Sequence, residues 1–192
     1  MQTAQLLIGL AGRARTGKTT AANHLANTYD LVTYALADPL REGLMNIFNL
    51  SPCDFDDERK ELTIDWLGRS PRELMQSMGT DWGRHQVHPE LWLLLAEKNL
   101  EFLGQTNDNA RGFVISDLRF ENEADFVRKR GGMVIHVLRP DATEVNPHAS
   151  EAGISIQDND LVLHNDGAIE DLFGQLDEIF EALVARANRF AA

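Results

Sequence analysis

The chain has 192 residues, 43% of them apolar, with 18 Lys and Arg against 30 Asp and Glu, which leaves a net charge of −12. That size and apolar content predict one globular domain whose core needs neither disulfides nor a structural metal, and the single cysteine, Cys53, excludes an internal disulfide framework. The acidic balance argues against stable nucleic-acid binding, which depends on neutralised phosphates, and no apolar run approaches the length of a membrane span.

In chain order, the first strand candidate, Gln5 to Leu10, runs into Gly12-Arg13-Ala14-Arg15-Thr16-Gly17-Lys18-Thr19, followed by Thr20. This matches G-x-x-x-x-G-K-[ST], a loop that cradles phosphates between a strand and a helix. The residue types follow from the chemistry. Several backbone N–H groups must converge on a phosphate chain, and glycines at both ends let the backbone wrap that closely. Lys18 would place its ammonium on the β- and γ-phosphates, the Thr19 hydroxyl would ligate Mg²⁺, and the helix starting there adds the positive end of its dipole. A nucleoside triphosphate is the expected ligand.

The next strand candidate is Leu31 to Ala35, after which Asp38-Pro39 reads either as a helix start or as a functional carboxylate close to a strand end. Ser70-Pro71-Arg72-Glu73 combines an N-cap, a first-turn proline and a capping-box glutamate, and opens a helix through Leu74, Met75 and Met78 that should stop before Gly79. Another helix runs from Pro89 through Leu91, Trp92, Leu95 and Leu103 to Gly104. Trp82 and Trp92 are expected to fill packing space, with stacking on a base as the alternative. Arg13, Arg15, Lys18, Arg41, Arg69, Arg72 and Arg84 concentrate positive charge in the first half of the chain, a local basic cleft within an acidic protein.

The strand candidate Gly112 to Ser116 is followed by Asp117, placed as nucleotide-binding domains place an aspartate that holds a water of the Mg²⁺ shell. Next come Leu118-Arg119-Phe120-Glu121-Asn122-Glu123, charges at the carboxyl edge of a buried strand. There Arg119 would face a transferring phosphoryl group or pair with Glu121 or Glu123 on the surface. Strand candidates at Met133 to Leu138 and Asp160 to Leu163, then a final helix carrying Leu172, Leu176, Ile179, Phe180 and Leu183 on one face, complete the chain. Strands alternating with helical patterns give an α/β class: five strands in a mainly parallel sheet with helices on both faces. The six histidines lack metal-ligand spacing, and Arg128, Lys129 and Arg130 near a helix C-terminus read as structural.

Together, Gly12 to Thr19, Ala37-Asp38-Pro39-Leu40-Arg41, the Ser70 to Thr80 block, Val114 to Phe120 with Glu123, Gly131 to Ile135, His148 to Glu151 and Asn165-Asp166-Gly167 resemble the phage-type deoxynucleoside monophosphate kinases. The loop is generic to many NTPases; the Pro71 to Thr80 and Asp117 to Glu123 blocks are the specific part. The resemblance implies a P-loop NTPase fold with the three-layer architecture of nucleoside monophosphate kinases. The implied activity is transfer of the γ-phosphoryl of ATP to a deoxynucleoside monophosphate, with Mg²⁺ required. An acceptor-binding helical segment would span about 38–104 and a short lid carrying Arg139 about 139–152.

By the same resemblance, Arg41 and Arg72 would grip the acceptor phosphate, Arg119 the transferring group, and Gln76 and Thr80 the base or sugar. Asp38 would orient the acceptor or hold a Mg²⁺ water, unless it serves as a helix cap. Asn165 and Gly167 would lie beside the adenine or form a plain turn. A cytoplasmic location is expected, the host cytoplasm if the chain is phage-encoded, and homodimerisation is left open. Two other readings stand beside this one: a small-molecule kinase resembling dephospho-coenzyme A kinases, with Asp38 as base on a hydroxyl, and a regulatory NTPase. The latter lacks an N-K-x-D guanine signature.

Overall fold

Parallel pairing dominates the computed structural model, which describes residues 6–56, 58–140 and 153–190. The strands β1 (Leu6–Ala11), β2 (Leu31–Tyr34), β3 (Gly112–Leu118), β4 (Met133–Leu138) and β5 (Leu161–His164) form one sheet in the order β2-β3-β1-β4-β5. Every pairing is parallel, so the mainly parallel sheet expected from sequence is parallel throughout the described residues. The crossovers from β1 to β2, from β2 to β3 and from β3 to β4 each carry helix, which covers both faces of the central strands.

Two compact units make up the chain: Met1–Ala35 with Leu100–Ala192, and Leu36–Asn99. In the first, strand alternation divides the sheet into two faces. Ile8 and Leu10 point into a core with Ala21, Ala22 and Leu25 of α1 (Lys18–Tyr29) and Leu172, Leu176 and Phe180 of α6 (Ile169–Phe190). Gly9 points the other way, toward α5 (Glu121–Lys129), where an added Cβ would come within 2.9 Å of Val127. The absent side chain lets α5 lie against the middle of the sheet.

The β3 strand runs two residues past the expected Ser116. Between the pairs Gly9↔Ile115 and Ala11↔Leu118 it contains one residue more than β1, a bulge at Ser116-Asp117. Bulges re-aim side chains and recur at functional edges, so Asp117 lies inside the strand yet beside the exit of β1.

In the second unit, α2 (Asp38–Phe48), α3 (Pro71–Gln76) and the first part of α4 (Leu91–Thr106) enclose a small core of Leu40, Leu44, Leu74 and Trp92. The helix opened by Ser70 does not stop before Gly79 as expected. It continues as a π-helical segment, Ser77–Val87. Gly79 is buried inside that segment and its carbonyl accepts a 2.8 Å bond from the Trp92 indole N–H. The wider π turn leaves carbonyls off the ordinary helical ladder, and a tryptophan donor is a direct way to satisfy one. Trp92 is thus a packing residue, as expected, whereas Trp82 is 46% exposed and fills no core. No helix among the described residues is long and apolar enough to cross a membrane.

Candidate active site

Immediately after β1 the backbone enters conformations that side chains resist. Gly12 has φ 143° and Gly17 φ 100°, both in the region open mainly to glycine, and Arg15 between them is left-handed at φ 62°. A Cβ on Gly12 would lie 2.5 Å from the Val137 carbonyl oxygen. The Thr16 hydroxyl, buried at the centre of the loop, donates to the Arg13 carbonyl at 2.9 Å and closes the turn. Gly17 is the N-cap of α1, with no side-chain cap and no acidic residue in the first turn. The first-turn amides, the dipole of a 12-residue helix and the Lys18 ammonium therefore converge on one anion-attracting point. Lys18 Nζ donates to the carbonyls of Gly12 and Arg13, both at 2.7 Å, which positions it across the loop mouth. Arg13, Arg15 and Thr19 are exposed along the rim, while Ala14 and Thr20 are partly covered.

The loop is tied from outside by Asn165, which directly follows β5. Its backbone N–H donates to the Leu138 carbonyl at 2.8 Å, and its side-chain Nδ2 donates to the Thr16 carbonyl at 2.8 Å. Gly167 lies under the Asp171 carboxylate, which accepts the Ala168 N–H at 2.9 Å, leaving no room for a Cβ.

At the neighbouring strand end, Asp117 and Arg119 are partly buried on either side of buried Leu118. The turn that carries Arg119 is fixed by Glu123, a carboxylate-bearing residue only 3% exposed, whose Oε2 accepts the Arg119 N–H at 2.6 Å and the Phe120 N–H at 3.1 Å. Glu121 accepts the Ser155 N–H at 2.6 Å and lies 3.8 Å from Arg128; hydrogen bonds from the Ser155 side chain and backbone hold its carboxyl below the usual range. Thus both glutamates considered as partners for Arg119 have backbone duties. The third-residue position of Glu123 in α5 was the readable sign of this cap. Arg139, after β4, is exposed. Residues 141–152 of the expected lid, including His148, lie outside the described residues.

The acceptor candidates belong to the second unit. Asp38 is the first residue of α2, one position inside the N-cap Ala37, and its Oδ1 accepts from Arg41 Nη1 at 2.9 Å. As a correction to the cap reading, Asp38 does not occupy the cap position, although a first-turn carboxylate still complements the helix dipole. Arg72, with a side chain 14% exposed, pairs through Nε with Glu61 Oε1 at 2.6 Å. That partner was not legible in the sequence, because Glu61 ends a separate short 3-10 helix, Arg59–Glu61, 11 residues away. Ser70 and Glu73 exchange their capping-box bonds, at 3.3 and 2.8 Å, so Arg72 sits in a rigid first turn of α3. Gln76 and Thr80 are both partly buried.

The sequence profile of the deoxynucleotide monophosphate kinase family matches residues 6–69 and 63–176. The chain belongs to that family. The enzyme of Enterobacteria phage T4 with this name is 28% identical, the alignment covering 92% of this chain and 99% of that one. A chain from Acanthamoeba polyphaga mimivirus, which bears a provisional form of the same name, is 36% identical with 89% and 94% covered. Among solved structures, a provisionally named kinase from Chloroflexus aurantiacus aligns with a TM-score of 0.54 at 13% identity, covering 96% of this chain and 99% of that one. TT1252 from Thermus thermophilus aligns at 0.50 and 20% identity, with 95% and 97% covered. At these identities the structural matches speak for the fold alone.

Proposed function

We propose that this family member transfers the γ-phosphoryl group of ATP to the 5′-phosphate of a deoxynucleoside monophosphate, yielding the diphosphate and ADP. The observation that carries the reading is the Gly12–Thr19 loop, with two glycine-only turns opening onto the uncapped start of α1, in a chain matched to this family over residues 6–176. An oxygen of the acceptor phosphate forms the new bond to the γ-phosphorus. The bond from that phosphorus to the β,γ-bridging oxygen breaks, and its electron pair leaves with ADP. A phosphate monoester is largely dianionic near neutral pH, so no general base is needed. Positioning and charge neutralisation supply the rate.

The roles follow from that requirement. Amides from Gly12 to Thr20 receive the phosphate tail, and Lys18 exchanges its loop carbonyls for the β- and γ-oxygens. Arg119 neutralises the transferring group, Arg139 screens the site from water, and Asn165 and Gly167 border the nucleotide. Arg72 turns its terminal nitrogens to the acceptor phosphate while Glu61 keeps Nε, with Arg41 as the second fork; Gln76 and Thr80 contact the base or sugar, and Asp38 orients Arg41. The donor set, the Thr19 hydroxyl and the Asp117 carboxylate, suits Mg²⁺ brought in on a nucleotide: Thr19, and Asp117 through a water, would hold the ion together with phosphate oxygens, and among the described residues no group of three or more His, Cys, Asp or Glu is placed to hold an ion by itself. When bound, it would neutralise charge on the transferring phosphate.

The test is incubation with Mg·ATP and each nucleoside monophosphate in turn, monitoring diphosphate formation. Acceptor-dependent ADP release supports the reading, and ATP hydrolysis of equal rate without any monophosphate rejects it.

A further inference from the structure

Within the loop, the peptide joining Thr16 to Gly17 is the one most able to turn over, because its rotation is taken up at Gly17 φ, where glycine accepts either sign. Its orientation decides the sign of the dipole offered to a phosphate. In a planar trans peptide the C=O and N–H point in opposite directions. One face of the loop therefore receives the Gly17 donor and the other the Thr16 acceptor. Asn165 Nδ2 holds the Thr16 oxygen at 2.8 Å, and its own backbone N–H is fixed to Leu138 O at 2.8 Å on the edge of the sheet. The grip depends on the glycine: a Cβ on Gly17 would stand 2.5 Å from Asn165 Nδ2. Gly17 thus serves twice, by adopting φ 100° and by admitting the amide that keeps it there.

We propose that Asn165 is a positioning residue that locks the Thr16–Gly17 peptide with its N–H toward the bound phosphates, a role separate from contact with the base. The inference rests on the reading that the Gly12–Thr20 loop holds a triphosphate. Loss of the lock lets the Thr16 carbonyl turn toward an anion, which weakens any ligand of the loop whether or not it carries a nucleoside.

Inorganic tripolyphosphate tests this because it has no base. With Mg²⁺ present, dissociation constants of tripolyphosphate and ATP are measured by calorimetry for the wild type, Asn165→Ala and Asn165→Ser, the serine hydroxyl being too short to span to Thr16. Both ligands should weaken by the same factor, roughly fivefold for one lost neutral hydrogen bond. KM for ATP should rise while KM for the acceptor stays constant. Gln175→Ala loosens the same strand end, since Gln175 bonds both the N–H and the carbonyl of His164. It leaves Thr16 untouched and should keep wild-type affinity. Unchanged tripolyphosphate affinity in folded Asn165 variants overturns the proposal, as does weakening of ATP alone, which would assign Asn165 to the base. Equal weakening in Gln175→Ala would reduce the effect to general loosening and also overturn it. Should the alanine variant not fold, the serine variant is read in its place. A wild-type protein that binds neither ligand overturns the triphosphate reading itself.

Discussion

Two cations whose roles are proposed above already have partners in this structure, and the kind of partner differs. Lys18 is held by two neutral carbonyls, each 2.7 Å away, and a phosphate dianion competes favourably with these. Lys18→Met keeps the stem and removes the charge. Losing one preorganised charge at the transferring group should lower kcat by about 10²–10³-fold. Steady-state rates with saturating acceptor measure it, and a change under threefold would exclude Lys18 from the transfer. Arg72 is tied through Nε to a carboxylate at 2.6 Å, a bond it keeps while its terminal nitrogens face the acceptor, so its geometry matters more. Arg72→Lys preserves charge but loses the planar fork. Acceptor KM should rise by about tenfold or more with KM for ATP unmoved, and equal increases in both constants would contradict an acceptor role.

The helical and strand elements were legible where local chemistry decides them. Ser70-Pro71-Arg72-Glu73 announced α3 through its cap, and the apolar runs located the sheet within a residue or two. The glycine-bounded loop fixed the join of β1 and α1. What sequence did not reveal depends on contacts far along the chain. The β3 bulge exists only relative to β1, the π-helical continuation past Gly79 depends on Trp92 supplying its indole N–H, and the Asn165 brace spans 149 residues. The structural reading of Arg128 holds, but its partner was not legible: Arg128 clasps Asp160, 32 residues away, through Nε at 3.0 Å and Nη2 at 2.6 Å. A prediction belongs to α3. Ser70 is 6% exposed and its hydroxyl accepts the Glu73 N–H at 3.3 Å, so Ser70→Ala should destabilise the protein by about 1 kcal/mol. Urea unfolding measures this, and no shift in midpoint would show that Pro71 and packing alone hold the turn.

At the scale of the whole molecule, two influences on acid stability oppose each other. A net charge of −12 means that early protonation of exposed carboxylates relieves self-repulsion, but exposed charges are screened by salt and each contributes little. Asp160 behaves differently. Its side chain is 2% exposed; burial alone would raise its pKa, yet the Arg128 guanidinium, the Gln157 N–H and His136 outweigh that and hold it at about 2. A carboxyl depressed in the folded state binds its proton more readily when unfolded. Its stabilisation is therefore complete above the unfolded value and disappears as pH falls through the folded one, here from about pH 5 to about pH 2. The shift corresponds to roughly 2 kcal/mol, a large share of a typical folding free energy. At the alkaline end the sign reverses for Tyr29, raised to about 12 by burial and its bond to Asp177, so its contribution is lost as pH climbs from about 10 through about 12. At moderate salt the acid limb should therefore be governed by Asp160. Unfolding free energies measured by denaturant between pH 7 and pH 3 should fall steeply for the wild type and less for Asp160→Asn, which starts less stable at neutral pH. Parallel curves for the two proteins would mean that the Arg128–Asp160 pair does not set acid tolerance.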